Sequence, residues 1–203
     1  MKVAIIGGTG RAGREISAEL ARRGHQVTAI SRHPENAVDT DGVTAVAGDV
    51  GHPDALIEAI SGHDVVVSAV MFSDTDPAAL VGVVRESGVP RYLVVGGAAS
   101  LEVAPGVPLL TTPDFPDAYK AEATRGAAFL DYLRGVDDID WTFLSPSAYF
   151  FVGDRKGSFR LGKDELLVDT DGNSSISYAD YAIALVDEIE TPQHSRARFT
   201  VGY

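Results

Sequence analysis

Apolar runs alternate with helical patterns along most of the chain. Five runs are rich in β-branched residues and nearly continuous in hydrophobicity, which is typical of strands buried on both faces of a parallel sheet; they cover residues 3–6, 27–30, 43–46, 65–70 and 92–95. Helical patterns cover residues 11–23, 53–60 and 77–87, each followed by a glycine, and a fourth at 117–134 precedes a further strand at 141–144. This order predicts an α/β fold: a Rossmann-like doubly wound parallel sheet in one domain over residues 1–203, with a small C-terminal extension on the substrate side.

Three glycines spaced three residues apart follow the first predicted strand: Gly7, Gly10 and Gly13. A strand before them and a helix after them form the setting that a dinucleotide-binding loop requires. Gly7 would allow the tight turn, Gly10 would let backbone N–H groups approach a pyrophosphate, and Gly13 would let the helix pack closely on the sheet. A glycine-rich turn without a ligand is the alternative, and the position of the loop favours a phosphate site.

The end of the second predicted strand bears on which dinucleotide is bound. Sites selective for NAD usually carry a carboxylate about 20 residues after the glycines, where it binds the adenosine ribose. Here Ser31 and Arg32 stand in that region. A guanidinium pairs well with a 2′-phosphate, and Arg11 in the loop is a second candidate for the same group. A solvated Arg32 without a ligand is the alternative, but we expect NADP(H) rather than NAD(H).

Composition and charge limit the kinds of partner that the protein is expected to bind. The formal net charge is −12, and lysine and arginine form no basic run, which argues against nucleic acid and acidic membranes. Cysteine is absent, and the histidines are scattered, so no metal site is expected. No apolar stretch reaches the roughly 18 residues of a membrane span, and the N-terminus lacks the layout of a signal peptide. We therefore expect a cytoplasmic protein.

Segments along the whole chain resemble the atypical short-chain dehydrogenase/reductase superfamily, in its NmrA-like NAD(P)-binding branch. They are the glycine loop, GDV at 48–50, SAVM at 68–71, YLVVGGAASL at 92–101, WTFLSPSAYF at 141–150 and SISYADYAIALVDEIE at 175–190. Within that branch the chain is most similar to small bacterial NADH-flavin reductase-like proteins and, more distantly, to the flavin and biliverdin reductase B family. The resemblance implies a set of cofactor-binding residues, with Asp49 accepting from the adenine amino group: Gly7, Thr9, Gly10, Arg11, Ala12, Gly13, Arg32, Asp49, Val50, Ala69, Val70, Met71, Gly97 and Pro146.

The acid–base residues of the larger reductases in this superfamily are missing. Those enzymes use a tyrosine with a lysine four residues later, whereas Tyr119 is followed at that distance by Ala123. Lys120 is adjacent to the tyrosine and points about 100° away from it on a helix. The serine and the histidine of the biliverdin reductase B family correspond to Gly97 and Ser147. Reduction of a carbonyl, and epimerase or dehydratase chemistry, are therefore poorly supported.

Flavin or quinone reduction does not need a strong general acid, because the acceptor ring delocalises the charge and the protein mainly stacks two rings. Aromatic residues follow the relevant segments, and we expect several of them in an apolar pocket: Phe115, Tyr119, Tyr149, Phe150 and Phe151. The candidate pocket residues are Ser100, Tyr119, Ser147, Tyr149 and Phe150. The favoured interpretation is a NAD(P)H-dependent reductase acting on a small aromatic acceptor, with flavin possible as substrate. The alternative is a regulatory protein of the NmrA type that senses NADP(H) without turnover.

Three further features complete the expectations. DTDGNS at 169–174 is predicted to be the turn of a hairpin that pairs residues 166–168 with 175–176. Asp180, at the start of the last helix, is interpreted as structural because a carboxylate complements the helix dipole there. The segment 100–116 fits either a lid or a dimer contact, so both a monomer and a homodimer stay open.

Overall fold

The computed structural model describes all 203 residues, in twelve strands and five α-helices. The strands are β1 (Lys2–Ile6), β2 (Gln26–Ser31), β3 (Val43–Ala47), β4 (Val65–Ser68), β5 (Arg91–Val95), β6 (Glu102–Ala104), β7 (Val107–Pro108), β8 (Asp140–Ser145), β9 (Tyr149–Phe151), β10 (Arg160–Gly162), β11 (Ser175–Ser177) and β12 (Ala197–Gly202). The helices are α1 (Arg11–Arg22), α2 (Pro53–Ile60), α3 (Pro77–Ser87), α4 (Asp117–Arg134) and α5 (Tyr178–Glu190).

Eight strands form the central sheet, in the order β10-β12-β8-β5-β4-β1-β2-β3. Every neighbouring pair is parallel except β10 with β12. The chain leaves β1 towards β2 and β3 and then returns to β4 on the other side, so the strand order reverses at β1. Ligands of such sheets bind at the carboxyl edge beside this reversal. The predicted Rossmann-like fold is confirmed.

Two layers of helices cover the sheet because its strands are apolar on both faces. On one face, Ile16 and Leu20 of α1 pack with Tyr181 and Leu185 of α5 in a cluster of buried residues. On the other face, α2, α3 and α4 enclose a second cluster that includes Phe129. Each fully buried side chain of this kind stabilises the fold by roughly 1.5–3 kcal/mol. None of the five α-helices combines the length and the hydrophobicity of a membrane span.

The fourth strand is shorter than predicted, because the chain makes its last bond to β1 from the Ala69 N–H to the Ile6 carbonyl oxygen (2.8 Å) and then turns away, although residues 69–70 continue the apolar run. They pack against the glycine loop instead: a Cβ atom added to Gly7 would lie 2.3 Å from the carbonyl oxygen of Ala69 and 3.2 Å from the side chain of Val70. The helices follow the predicted bounds, with α1 ending one residue early at Arg22.

The predicted hairpin of residues 166–168 with 175–176 is wrong. The turn itself forms, since the Asp169 side chain accepts from the N–H groups of Asp171 (2.9 Å) and Asn173 (2.8 Å). Beyond the turn, however, β11 pairs in parallel with β9, where Ser175 lies opposite Tyr149. The Leu166 N–H donates instead to the carbonyl oxygen of Glu102 at 2.8 Å. Backbone partners elsewhere in the fold thus replace the hairpin.

Candidate cofactor cleft and aromatic pocket

The glycine loop closes tightly between β2 and the chain that follows β4. Gly7 has a φ of +84°, which disfavours any residue with a side chain. The N–H groups of Gly7 and Gly8 both donate to the carbonyl oxygen of Ile30, at 2.9 and 3.1 Å. A Cβ on Gly13 would lie 2.2 Å from the Gly7 carbonyl oxygen. Gly7 and Gly13 are therefore required by the turn and by the close approach of α1, as predicted.

Gly10 precedes α1 and leaves the N-terminus of this helix open. No side chain caps the helix, and its first turn contains no acidic residue. The N–H groups of Arg11, Ala12 and Gly13 have no acceptor within the chain. Such N–H groups, at the positive end of a helix dipole, bind phosphate well. The loop thus fits the pyrophosphate of a dinucleotide.

A cleft of about 370 Å³ extends from this loop over the ends of β1, β2, β3 and β4. We call it the cofactor cleft. Nine of the predicted cofactor residues line it: Gly7, Thr9, Gly10, Arg32, Asp49, Val50, Ala69, Val70 and Met71. Arg11 does not line it and is exposed on α1, so its placement does not support the predicted phosphate contact. The cleft also contains residues that the sequence did not single out as ligands, namely Ser31, His33, Gly48, Gly51, Asp74 and Thr75.

Hydrogen bonds fix the end of β2 beside the glycine loop. The Thr9 hydroxyl donates to the Ser31 hydroxyl oxygen at 2.8 Å, and the same oxygen accepts from the His33 N–H at 2.8 Å. Arg32, between them, is exposed and forms no ion pair. Asp49 is oriented by the Gly51 N–H, which donates to its Oδ1 at 2.8 Å. The guanidinium of Arg32 is therefore available to an anion in the cofactor cleft.

A second cavity of about 570 Å³, the aromatic pocket, lies over the ends of β5 and β8 and against α4. The rings of Phe72, Phe115, Tyr119, Phe150 and Tyr178 line it, together with Gly97, Ser100, Pro146 and Ser147. Gly97 and Pro146, predicted for the cofactor, thus face this cavity and do not line the cofactor cleft. The two cavities are adjacent, because β4 and β5 are neighbours in the sheet and the successive residues Met71 and Phe72 line the cleft and the pocket respectively.

Side chains alternate across β9 and separate its aromatic residues. Phe150 faces the pocket, with its ring centroid 3.9 Å from that of Tyr178 and 4.8 Å from that of Tyr181. Tyr149 and Phe151 stack on each other at 5.0 Å on the opposite side of the strand, and Tyr149 is 66% exposed. The prediction of Tyr149 as a pocket residue is wrong, and Phe151 lies on the same face as Tyr149, since side chains two residues apart share a face in a strand.

The hydroxyl groups at the pocket are poorly arranged to protonate a substrate. Ser147 lines the pocket, but it is buried and its Oγ donates to the carbonyl oxygen of Val201 at 3.0 Å, so its proton is not free for a substrate. Ser100 accepts from Arg198 at 3.3 Å. Tyr119 is 66% exposed at the rim, while Lys120 pairs with Asp117 at 2.6 Å. No tyrosine at the pocket is therefore paired with a lysine, as the tyrosine of the larger reductases is.

Two buried tyrosines beneath the site are neutral and structural. Burial raises the pKa of Tyr92, whose hydroxyl lies 2.8 Å from Ser68 Oγ at the end of β4. Burial also raises the pKa of Tyr181, which donates to the carbonyl oxygen of Leu144 at 2.8 Å. Neither phenol lines either cavity, so neither supplies a proton to a ligand.

Glu122 holds the turn between the two cavities, and sequence reasoning missed it. Its carboxylate oxygens accept from the N–H groups of Phe72 and Ser73, each at 2.7 Å. One helical turn further on, Gly126 lets the ring of Phe72 approach α4, since a Cβ there would lie 2.9 Å from that ring. The only signal in the sequence is that Tyr119, Glu122 and Gly126 share one face of α4.

Comparison with known proteins assigns the chain to a protein family. A model of the NAD(P)H-binding family matches residues 7–192. Bacillus subtilis YwnB is 43% identical over 99% of this chain and 98% of its own. The structure of a "putative epimerase" from Bacteroides thetaiotaomicron is 38% identical, with a TM-score of 0.94 over 100% of this chain and 96% of the other. That of a "putative NADH-flavin reductase" from Streptococcus pneumoniae is 35% identical, with a TM-score of 0.86 over 100% and 99%. The expected resemblance is confirmed, and the chain belongs to the NAD(P)H-binding family.

Proposed function

We propose that this protein is an NADPH-dependent reductase that passes a hydride to a planar aromatic acceptor, either a flavin or a quinone. The observation that carries the proposal is that the two cavities lie side by side over the neighbouring strands β4 and β5, with Met71 lining one and Phe72 the other. One cavity offers free backbone N–H groups to a dinucleotide, and its neighbour offers aromatic rings to a flat acceptor. The similarity to the Streptococcus pneumoniae protein supports the same reaction class.

The reaction requires little from the protein beyond binding and orienting the dinucleotide and the acceptor. When bound, NADPH supplies a hydride, and the acceptor takes up one proton from water to complete a two-electron reduction. The first turn of α1 would hold the pyrophosphate, and Gly97 leaves open space at the end of β5, since no atom lies within 4 Å of a Cβ added there. Phe150 and Phe115 would stack on the acceptor and keep water from one face of it.

A preference for NADPH over NADH is part of the proposal. Arg32 lies in the cofactor cleft directly after β2 without an ion pair, whereas a site for NADH would carry a carboxylate that binds the ribose. The guanidinium can bind a 2′-phosphate with two parallel hydrogen bonds.

A regulatory role is the second candidate, because one observation favours it. The pocket lacks a tyrosine–lysine pair, and Ala123 occupies the position where the lysine would lie. A protein that binds NADP(H) and reports the redox state without turnover needs no such pair. The cytoplasmic location, the lack of a nucleic-acid partner, and a monomeric or homodimeric state remain predictions from the sequence.

Steady-state kinetics with a panel of acceptors tests the proposal. Purified protein is mixed with NADPH or NADH and with riboflavin, FMN or a naphthoquinone, while the absorbance of the nicotinamide band is followed. We expect catalytic oxidation of NADPH that depends on the acceptor, with higher kcat/KM than for NADH. Tight NADPH binding without turnover for any acceptor would favour the regulatory role.

A further inference from the structure

We propose that the aromatic pocket selects acceptors without a negative charge, so that riboflavin or an uncharged quinone is reduced in preference to FMN or FAD. The inference rests on the proposed reductase function and narrows its substrate class. The wall of the pocket contains two carboxylates, those of Asp114 and Glu122, and no lysine, arginine or histidine. These carboxylates would therefore repel a phosphate on the acceptor, and no cationic side chain in the wall would bind it.

Cations on α4, on β12 and in the loop after β9 are already engaged or lie outside the wall of the pocket. Lys120 pairs with Asp117 at 2.6 Å, and Arg198, which reaches Ser100, pairs with Asp164 at 2.5 Å. The ammonium of Lys156 lies 3.8 Å from the centre of the Tyr203 ring. Arg125 is exposed on α4 and does not line the cavity. None of these side chains is free within the wall to neutralise a bound phosphate.

The N-terminus of α4 differs from that of α1 in its charge. Free N–H groups at a helix N-terminus attract anions, and the first turn of α1 has no acidic residue. At α4, Asp117 lies in the first turn, and Asp114 precedes the helix by three residues. These carboxylates already complement the dipole of α4, so a phosphate gains little there. The net charge of −12 also disfavours a bound phosphate at low ionic strength.

The pair riboflavin and FMN isolates this effect, because the two molecules share the isoalloxazine ring and differ by one phosphate. At saturating NADPH and low salt we expect kcat/KM for riboflavin to exceed that for FMN about tenfold, or about 1.4 kcal/mol. Added salt should reduce the difference in kcat/KM between the two flavins, since it screens exposed charges. A naphthoquinone and its sulfonated derivative should show the same order.

A variant that removes the charge of Asp114 tests whether this carboxylate contributes to the selectivity for riboflavin over FMN. Asp114→Asn should lower the riboflavin-to-FMN ratio about threefold, while Asp137→Asn, which removes an exposed carboxylate remote from the pocket, should leave the ratio as it is. Quenching of flavin fluorescence on binding to the NADP⁺ complex gives the corresponding ratio of dissociation constants without turnover.

The outcomes separate this proposal from the function on which it rests. Reduction of FMN as fast as riboflavin at low salt, or a ratio unmoved by Asp114→Asn, would overturn the selectivity and leave the reductase standing. If neither flavin nor any quinone is reduced, the reductase function fails. In that case, tighter binding of riboflavin than of FMN would still uphold the selectivity of the pocket, and equal binding would overturn it.

Discussion

The cofactor cleft and the aromatic pocket lie side by side on the carboxyl edge of one sheet, but they are built from different parts of the chain. Backbone forms the phosphate end of the cleft: glycines that exclude side chains, and free N–H groups at the start of α1. Side chains form the pocket, and most of them are rings from β9, α4 and the loops around them.

This difference predicts how each cavity responds to substitution. A site made of backbone N–H groups has little room for any added side chain, so a single change there should abolish binding. A pocket made of several rings distributes its contacts, so the loss of one ring or hydroxyl should weaken function in part. The expected effects therefore decrease from the glycine loop to the pocket rim.

The largest effect is expected for Gly10→Asp. The new carboxylate would occupy the position of the pyrophosphate and repel it, so the NADPH Kd should rise at least 100-fold, or more than about 2.8 kcal/mol. Gly10 has φ −69°, and its added Cβ would lie 3.3 Å from the Gly7 oxygen, so the domain should still fold. Calorimetric titration measures the affinity, and circular dichroism checks the fold.

Gly82→Asp is the matched control, because it adds the same group on α3, where an added Cβ meets no atom within 4 Å. It should bind NADPH like the wild type. Unchanged affinity in folded Gly10→Asp would show that the loop is only a turn.

A smaller effect is expected for Arg32→Ala, which should reduce the preference for NADPH over NADH by 10- to 100-fold, about 1.4 to 2.8 kcal/mol. That is the scale of a charge-assisted pair with the 2′-phosphate. The measurement is kcat/KM for both cofactors. Arg125→Ala, at an exposed arginine of α4, should leave the preference intact. An equal loss for both cofactors would contradict a contact between Arg32 and the phosphate.

Within the pocket, Phe150→Ala should raise the KM of the acceptor about tenfold with a smaller change in kcat, because ring stacking orients the acceptor. Tyr149→Ala is the control: it removes the neighbouring ring of the same strand, which faces away from the pocket. Thermal unfolding of both variants separates the loss of acceptor binding from the loss of stability. Equal effects on KM would contradict the assignment of the two faces of β9.

The smallest effect is expected for the hydroxyls, with Tyr119→Phe and Ser100→Ala each lowering kcat less than tenfold, or about 1.4 kcal/mol. A positioned general acid contributes about 10²- to 10⁴-fold, so the two cases are well separated. Steady-state kinetics at saturating NADPH gives the value. A hundredfold loss in Tyr119→Phe would indicate carbonyl reduction, with the phenol as the acid.

The backbone-built site was largely predictable from the sequence for a physical reason. Gly7 and Gly13 are required by backbone conformation and close approach, and both requirements appear in the sequence as glycine at fixed spacing. The strands and helices were predictable in the same way, because burial on both faces leaves continuous apolar runs. Where the end of such a run packs on the glycine loop, as at Val70, the strand was predicted too long.

The side-chain pocket was less predictable, because its composition depends on contacts between distant parts of the chain. All three residues of β9 are aromatic, so the sequence does not show which one faces the pocket; pairing with β11 decides it. Ser147 lines the pocket, but the sequence does not show that its hydroxyl proton is taken by an acceptor in β12. The role of Glu122 depends on the N–H groups of a turn some fifty residues earlier in the chain.

A single-turnover experiment tests the central claim, which is that the two cavities hold donor and acceptor in contact for direct hydride transfer. The NADPH complex of the protein is mixed without oxygen with riboflavin in a stopped-flow instrument, and the nicotinamide and flavin absorbance bands are recorded together. We predict that both bands disappear at the same rate, and that deuterium at the transferred position of NADPH slows both equally. A stable NADPH complex in which neither band changes faster than in a mixture without protein would contradict the claim.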